Sequence, residues 1–155
     1  MKITSPAFTD GGKIPSKYSC DDQNINPALN FSDVPIEATS LVLIMDDPDI
    51  PNFAKQKYNT EVWDHWIVFN IPPTTRNVSE GKNPPGDLGR NTNSNNSYGG
   101  PCPPDREHRY FFKLYALDSE LNLPEGSTKA EVEEAMQGHI LAEAKLMGRY
   151  ERVKK

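Results

Sequence analysis

Three predominantly apolar runs organise the chain: Ser40-Leu41-Val42-Leu43-Ile44-Met45, Trp66-Ile67-Val68-Phe69-Asn70-Ile71 and Tyr110-Phe111-Phe112-Lys113-Leu114-Tyr115-Ala116-Leu117. Each has the length of a strand. Pro48 and Pro51 stop the first and Pro72-Pro73 the second, which favours core strands over helices. The third is rich in aromatics that suit a pleated surface. Near the end, Ala144, Leu146, Gly148 and Tyr150 alternate with Lys145, Met147 and Arg149, predicting a last, half-exposed strand. One helix is expected. Thr128 followed by Glu131 has the capping-box spacing, and Val132, Ala135, Met136, His139 and Ile140 then recur on one helical face. That stripe gives His139 a packing role. Residues 5–35, broken by Gly11-Gly12, Pro15, Pro27 and Pro35, read as irregular structure with brief edge strands. Residues 81–100 are dominated by Asn, Ser, Gly and Pro. Their length marks a functional or mobile loop, with a plain surface crossover as the alternative.

Composition sharpens this reading. Fourteen prolines and ten glycines in 155 residues fit a turn-rich, mainly β protein, expected as one domain over residues 1–155. A net charge of −5 argues against nucleic acid as the main partner, since no basic stripe precedes the last few residues. The first residues lack the apolar core of a secretory signal, and no run is long enough for a membrane span. A cytoplasmic location without membrane insertion is the expectation. Cys20 and Cys102 do not indicate a disulfide framework. They are expected as reduced, small core or pocket-edge residues, with a single bridge as the alternative.

The candidate chemistry sits at strand ends. Asp46-Asp47-Pro48-Asp49 closes the first run, Trp63-Asp64-His65-Trp66 opens the second, and Gly100-Pro101-Cys102-Pro103-Pro104-Asp105-Arg106-Glu107 leads into His108-Arg109-Tyr110. Alternation puts His108 and Tyr110 on one face and Arg109 on the other, where a carboxylate could pair with it. The same rule puts His65 with Ile67 and Phe69, opposite Asp64, Trp66 and Val68. Asp47, at the strand–turn junction, is the carboxylate placed to point inward and orient a histidine, favouring imidazolium. Asp49 is expected to cap its own turn. Glycine at 100 permits close backbone approach, and free N–H groups there, with imidazole and phenol donors, would suit a phosphate, sulfate or carboxylate. No nucleophile with an orienting partner is visible, and Cys102 near His108 lacks a third group. The chain is therefore expected to bind without catalysis, with no metal and no cofactor.

These segments, together with Phe8 to Ile14-Pro15, Tyr18-Ser19-Cys20-Asp21, Asn26-Pro27 with Leu29, Ile50-Pro51 and Tyr98-Gly99, resemble the phosphatidylethanolamine-binding protein family, also called Raf kinase inhibitor proteins, in its bacterial and archaeal branch. The resemblance spans nearly the whole chain. It implies an antiparallel β-sandwich with a few peripheral helices, and a small pocket for phosphate-like anions, including phospholipid head groups. Carried over, the pocket residues are Asp47, His65, Gly100, His108 and Tyr110, with Asp49 and Pro101 close by. Residues 104–107 depart from the glycine-bearing connection usual in the family, which bears on the pocket rim. The resemblance also allows a second role, inhibition of a protein kinase or serine protease through surface loops, here residues 81–99 and the basic tail at 149–155.

Overall fold

The computed structural model describes residues 1–152. In chain order the strands are β1 (Lys2–Thr4), β2 (Leu29–Ser32), β3 (Ser40–Asp47), β4 (Trp63–Ile71), β5 (Asn77–Val78), β6 (Asp87–Leu88), β7 (His108–Leu117) and β8 (Ile140–Tyr150). Helices α1 (Asn52–Tyr58) and α2 (Lys129–Met136) join them, with a single 3-10 turn at Ser16–Tyr18. All strand pairs are antiparallel. They form a small sheet, β1-β2-β5, and a large one, β6-β4-β3-β7-β8. This is the expected β-sandwich with peripheral helices.

Burial explains why the central run is apolar without interruption. β3 lies between β4 and β7 and is buried along its whole length. Its alternate residues serve two cores. Leu41, Leu43 and Met45 meet Trp66, Val68, Tyr110, Phe112 and Leu114, and the small sheet closes this layer with Ile3, Leu29, Phe31 and Val78. Val42 and Ile44 face the other way with Ile67 and Phe69, beneath Val132 and Met136 of α2. Each large side chain buried this way contributes about 1.5–3 kcal/mol before chain entropy is subtracted. Along β8, glycine at 148 lets the N-terminal segment cross closely. A Cβ there would sit 2.4 Å from Ile14 Cγ1.

Helix α2 begins as its capping box dictates, with Thr128 and Glu131 bonding each other's backbone N–H. It ends sooner than the stripe suggested. Gly138, at φ 81°, turns the chain away, so His139 is exposed and pairs with Asp118 at 2.8 Å instead of packing. Residues 81–100 hold the edge strand β6 and a turn built around buried Asn91, whose amide donates to Ser97 O and whose Oδ1 accepts from Asn95 N–H. The tail proposed as a basic surface belongs to β8 up to Tyr150, and residues 153–155 lie outside the described residues.

Candidate functional site

Antiparallel pairing brings the three polar segments together. Because β3 runs opposite to both neighbours, its C-terminal end adjoins the N-terminal ends of β4 and β7: Asp47 pairs with Trp63, and Asp46 with both Asp64 and Phe111. Between these ends opens a cavity of about 340 Å³. Asp47, His65, Gly100 and His108 line it, and Tyr110 is buried beside both imidazoles. The rings of His65 and Tyr110 meet edge to face at 5.3 Å, and those of His108 and Tyr110 stack at 6.4 Å.

His65 reaches this face through a break in the alternation. Met45 pairs with Trp66 but Asp46 pairs with Asp64, leaving His65 as an extra residue on β4. Such a bulge shifts every preceding side chain to the opposite face. His65 therefore joins Trp66 and Val68, not Ile67 and Phe69 as strict alternation required. Asp64 goes to the far face, where its Oδ1 lies 2.9 Å from Lys129 Nζ. Asp46 faces that way too, held by Lys113 at 3.0 Å and Lys129 at 3.2 Å.

Polar atoms at the cavity are held in a definite pattern. His108 donates from Nδ1 to Asp47 Oδ2 and from Nε2 to Asp105 Oδ1, each at 2.7 Å. Burial opposes its charge, but the hydrogen bonds and negative charges of Asp47 and Asp105 prevail and hold its pKa above the usual imidazole value. Burial likewise opposes ionisation of Asp105, yet His108 keeps that carboxyl below its ordinary range. Asp47 Oδ1 accepts the Asp49 N–H at 2.7 Å, which locks the turn. His65 differs. It donates from Nδ1 to Gly99 O at 2.7 Å, and burial holds its pKa below the usual value. The pairing expected to favour imidazolium is thus the one at His108, while the environment of His65 favours the neutral ring with Nε2 as an acceptor. His65 Nε2 and Tyr110 Oη are buried without a hydrogen-bond partner among the described residues. Burial, and then the negative charge of Asp47, push the Tyr110 phenol far up, so it stays a donor.

Three expectations need correcting. Asp49 does not reach the cavity. Its carboxylate accepts from the Arg109 backbone N–H, Nε and Nη2, all at 2.9 Å, because Arg109 occupies the outer face of β7 as alternation required. Gly100 lines the cavity, but its N–H is donated to Asn24 Oδ1 at 2.8 Å, and its missing Cβ makes room for Tyr18 O, which would lie 2.3 Å away. The glycine serves chain packing, not anion capture, and Pro101 similarly spends its carbonyl on Cys20 N–H. Finally, Cys20 and Cys102 are not reduced. They form a disulfide that ties the segment after the 3-10 turn to the loop carrying Gly100 and Pro103, both cavity residues.

Sequence reasoning missed the apolar half of the site. Helix α1 follows Pro51, ends at Asn59 in the left-handed region (φ 50°), and sets Phe53, Ala54 and Tyr58 beside Ile50, Pro51 and Trp63 at the cavity. Tyr58 meets Trp63 edge to face at 4.7 Å. At seven residues the helix is too short for periodicity to reveal, although Ala54, Lys55, Gln56 and Lys57 are good helix formers after a proline stop. Among the described residues, no group of three or more His, Cys, Asp or Glu is arranged to hold a metal ion, and no helix is long and apolar enough to cross a membrane.

A two-sheet sandwich with a polar-floored, aromatic-lipped cavity at the meeting of three strand ends defines the architecture. The phosphatidylethanolamine-binding protein family model matches residues 4–151, and the chain belongs to that family. A relative from Methanothermobacter thermautotrophicus, named UPF0098 protein, is 49% identical over 158 residues, covering 98% of this chain and 99% of that one. A UPF0098 protein of Chlamydia trachomatis is 50% identical over 152 residues, with the same coverage, 98% and 99%. Among solved structures, a phosphatidylethanolamine-binding protein homolog from C. trachomatis superposes with a TM-score of 0.92 at 49% identity, over 98% of this chain and 97% of that one. YbcL of Escherichia coli, described as a member of the mammalian family, gives a TM-score of 0.86 at 28% identity, over 98% of each chain.

Proposed function

We propose that the protein is a binding module that captures a phosphate-like anionic group of a small molecule in this cavity, without transforming it. The observation that carries the reading is the convergence of the His108 and His65 rings and the Tyr110 hydroxyl on one sheet face, with two buried polar atoms lacking a partner among the described residues. A buried, unsatisfied polar atom costs about 1–3 kcal/mol, a cost that a bound guest relieves. Charge-assisted hydrogen bonds from imidazolium to a phosphate oxygen are the strong kind, and a neutral imidazole accepts from a phosphate hydroxyl. The lip of Ile50, Phe53, Tyr58 and Trp63 favours a guest whose charged group carries an apolar or aromatic portion. With net charge −5, affinity for anionic bilayers is weak, so a head group or soluble phosphate ester suits better than a membrane surface.

Isothermal titration calorimetry with inorganic phosphate and phenyl phosphate tests this. Saturable binding of both, tighter for the phenyl ester, is expected in the wild type, with loss in the His65→Ala, His108→Ala double variant. Binding unchanged in that variant would contradict the reading. A kinase or protease that co-purifies equally with wild type and double variant would instead favour inhibition through surface loops.

A further inference from the structure

Resting on that anion-site reading, the geometry points to Asp105 as a tethered competitor: its carboxylate occupies the one His108 nitrogen that an incoming anion needs, and so sets the affinity and selectivity of the cavity. An imidazolium has two N–H donors. Asp47, nearly fully buried at 2% exposure and fixed also to the Asp49 N–H, takes the first. Asp105 takes the second, at 2.7 Å.

The two carboxylates are not equivalent. Asp47 stands on β3 in the middle of the large sheet, 61 residues from His108 in sequence. Asp105 stands in an irregular bend three residues before His108, and its side chain is 35% exposed where the His108 ring is 1% exposed. Asp105 can therefore swing outward without disturbing a strand, and Arg106 is placed to receive it, its Nε 3.7 Å from Asp105 Oδ2. Electrostatics favours such a departure when a guest arrives. One imidazolium already faces two carboxylates, and a phosphate entering beside both would be a third negative charge around one positive one. His65, held neutral, offers no second cation. Exchange of Asp105 for the guest keeps the number of anionic groups at His108 at two, so weak anions are excluded and only those that outcompete a carboxylate at close range enter.

The test is phosphate binding by the wild type, Asp105→Asn and Asp105→Ala, measured by calorimetry at one pH and ionic strength, with thermal melts confirming that all three fold. Both variants should bind inorganic phosphate more tightly, by on the order of tenfold, as expected for removing one partly screened like charge. Acetate, too weak for the wild type, should become a measurable ligand of Asp105→Ala. Equal or weaker phosphate affinity in both variants, with binding intact in the wild type, overturns this inference alone and makes Asp105 a mere orienter of His108. Binding by none of the three overturns the anion-site reading, and this inference with it.

Discussion

At the scale of single residues, the two cavity histidines are driven in opposite directions. His108 has its pKa raised from the ordinary value of 6.5, so its contribution to stability is whole below that value and drains away as pH rises through the folded value. His65, lowered from 6.5, contributes in the other sense: its share is whole above 6.5 and is lost as pH falls toward the folded value. Nitrogen-15 NMR of the imidazole rings should find His108 still protonated above pH 6.5 and His65 still neutral below it. In Asp47→Asn the His108 pKa should fall, because a buried ring loses its nearest charge. An unchanged His108 titration in that variant would show that Asp47 does not hold the ring. The residue identities of this site were largely legible, since Asp47 closes β3, His108 opens β7, and His65 and Tyr110 lie within the first three residues of β4 and β7. What sequence could not supply was which donors remain free. Gly100 N–H goes to Asn24 and Asp49 goes to Arg109, and both choices are made by distant chain segments.

At the scale of elements, two local features decide what the cavity looks like. The bulge at His65 cannot be seen at the mouth of a run that is apolar on both faces; only the partner register on β3 reveals the extra residue. Helix α1 is too short to announce itself, and with it the aromatic lip went unnoticed. The loop bearing Gly100, Cys102 and Pro103 is held from outside by the Cys20–Cys102 bridge, which joins positions 82 apart in sequence. Closing so long a loop restricts the unfolded chain, and chain entropy puts the stabilisation at about 4 kcal/mol. Cys20→Ser with Cys102→Ser should therefore lower Tm by on the order of 10 °C. Alkylation before reduction should label neither cysteine of the wild type. Labelling of both, or a melting point unmoved in the double variant, would contradict the bridge's role. Two isolated cysteines gave no sequence signal for this pairing, because proximity arises only when the two loops meet beside the 3-10 turn.

At the scale of the molecule, the large sheet separates two kinds of polar chemistry. Its inner face ends in the cavity, and its outer face carries an ion cluster of buried Asp46 with half-buried Asp64, Lys113 and Lys129 under the start of α2. Alternation alone sorts neighbouring Asp46 and Asp47 to these two destinations, so the layer order was readable once the apolar runs were recognised as strands. The outer cluster holds α2 to the sheet. Lys129→Met should cost about 2–4 kcal/mol in denaturant unfolding, since it removes a cation from two largely buried carboxylates, while exposed Lys82→Met should stay within about 0.5 kcal/mol. Equal effects would show that the cluster is ordinary surface charge.

The central claim is that the cavity floor seizes an anion through His108, and the Nε2 resonance of that ring reports it most directly. On titrating the Asp105→Asn variant with inorganic phosphate, that nitrogen should shift saturably and remain protonated, with the Nδ1 resonance held by Asp47 moving far less. Saturable phosphate binding that leaves the His108 ring untouched would place the anion elsewhere and contradict the account.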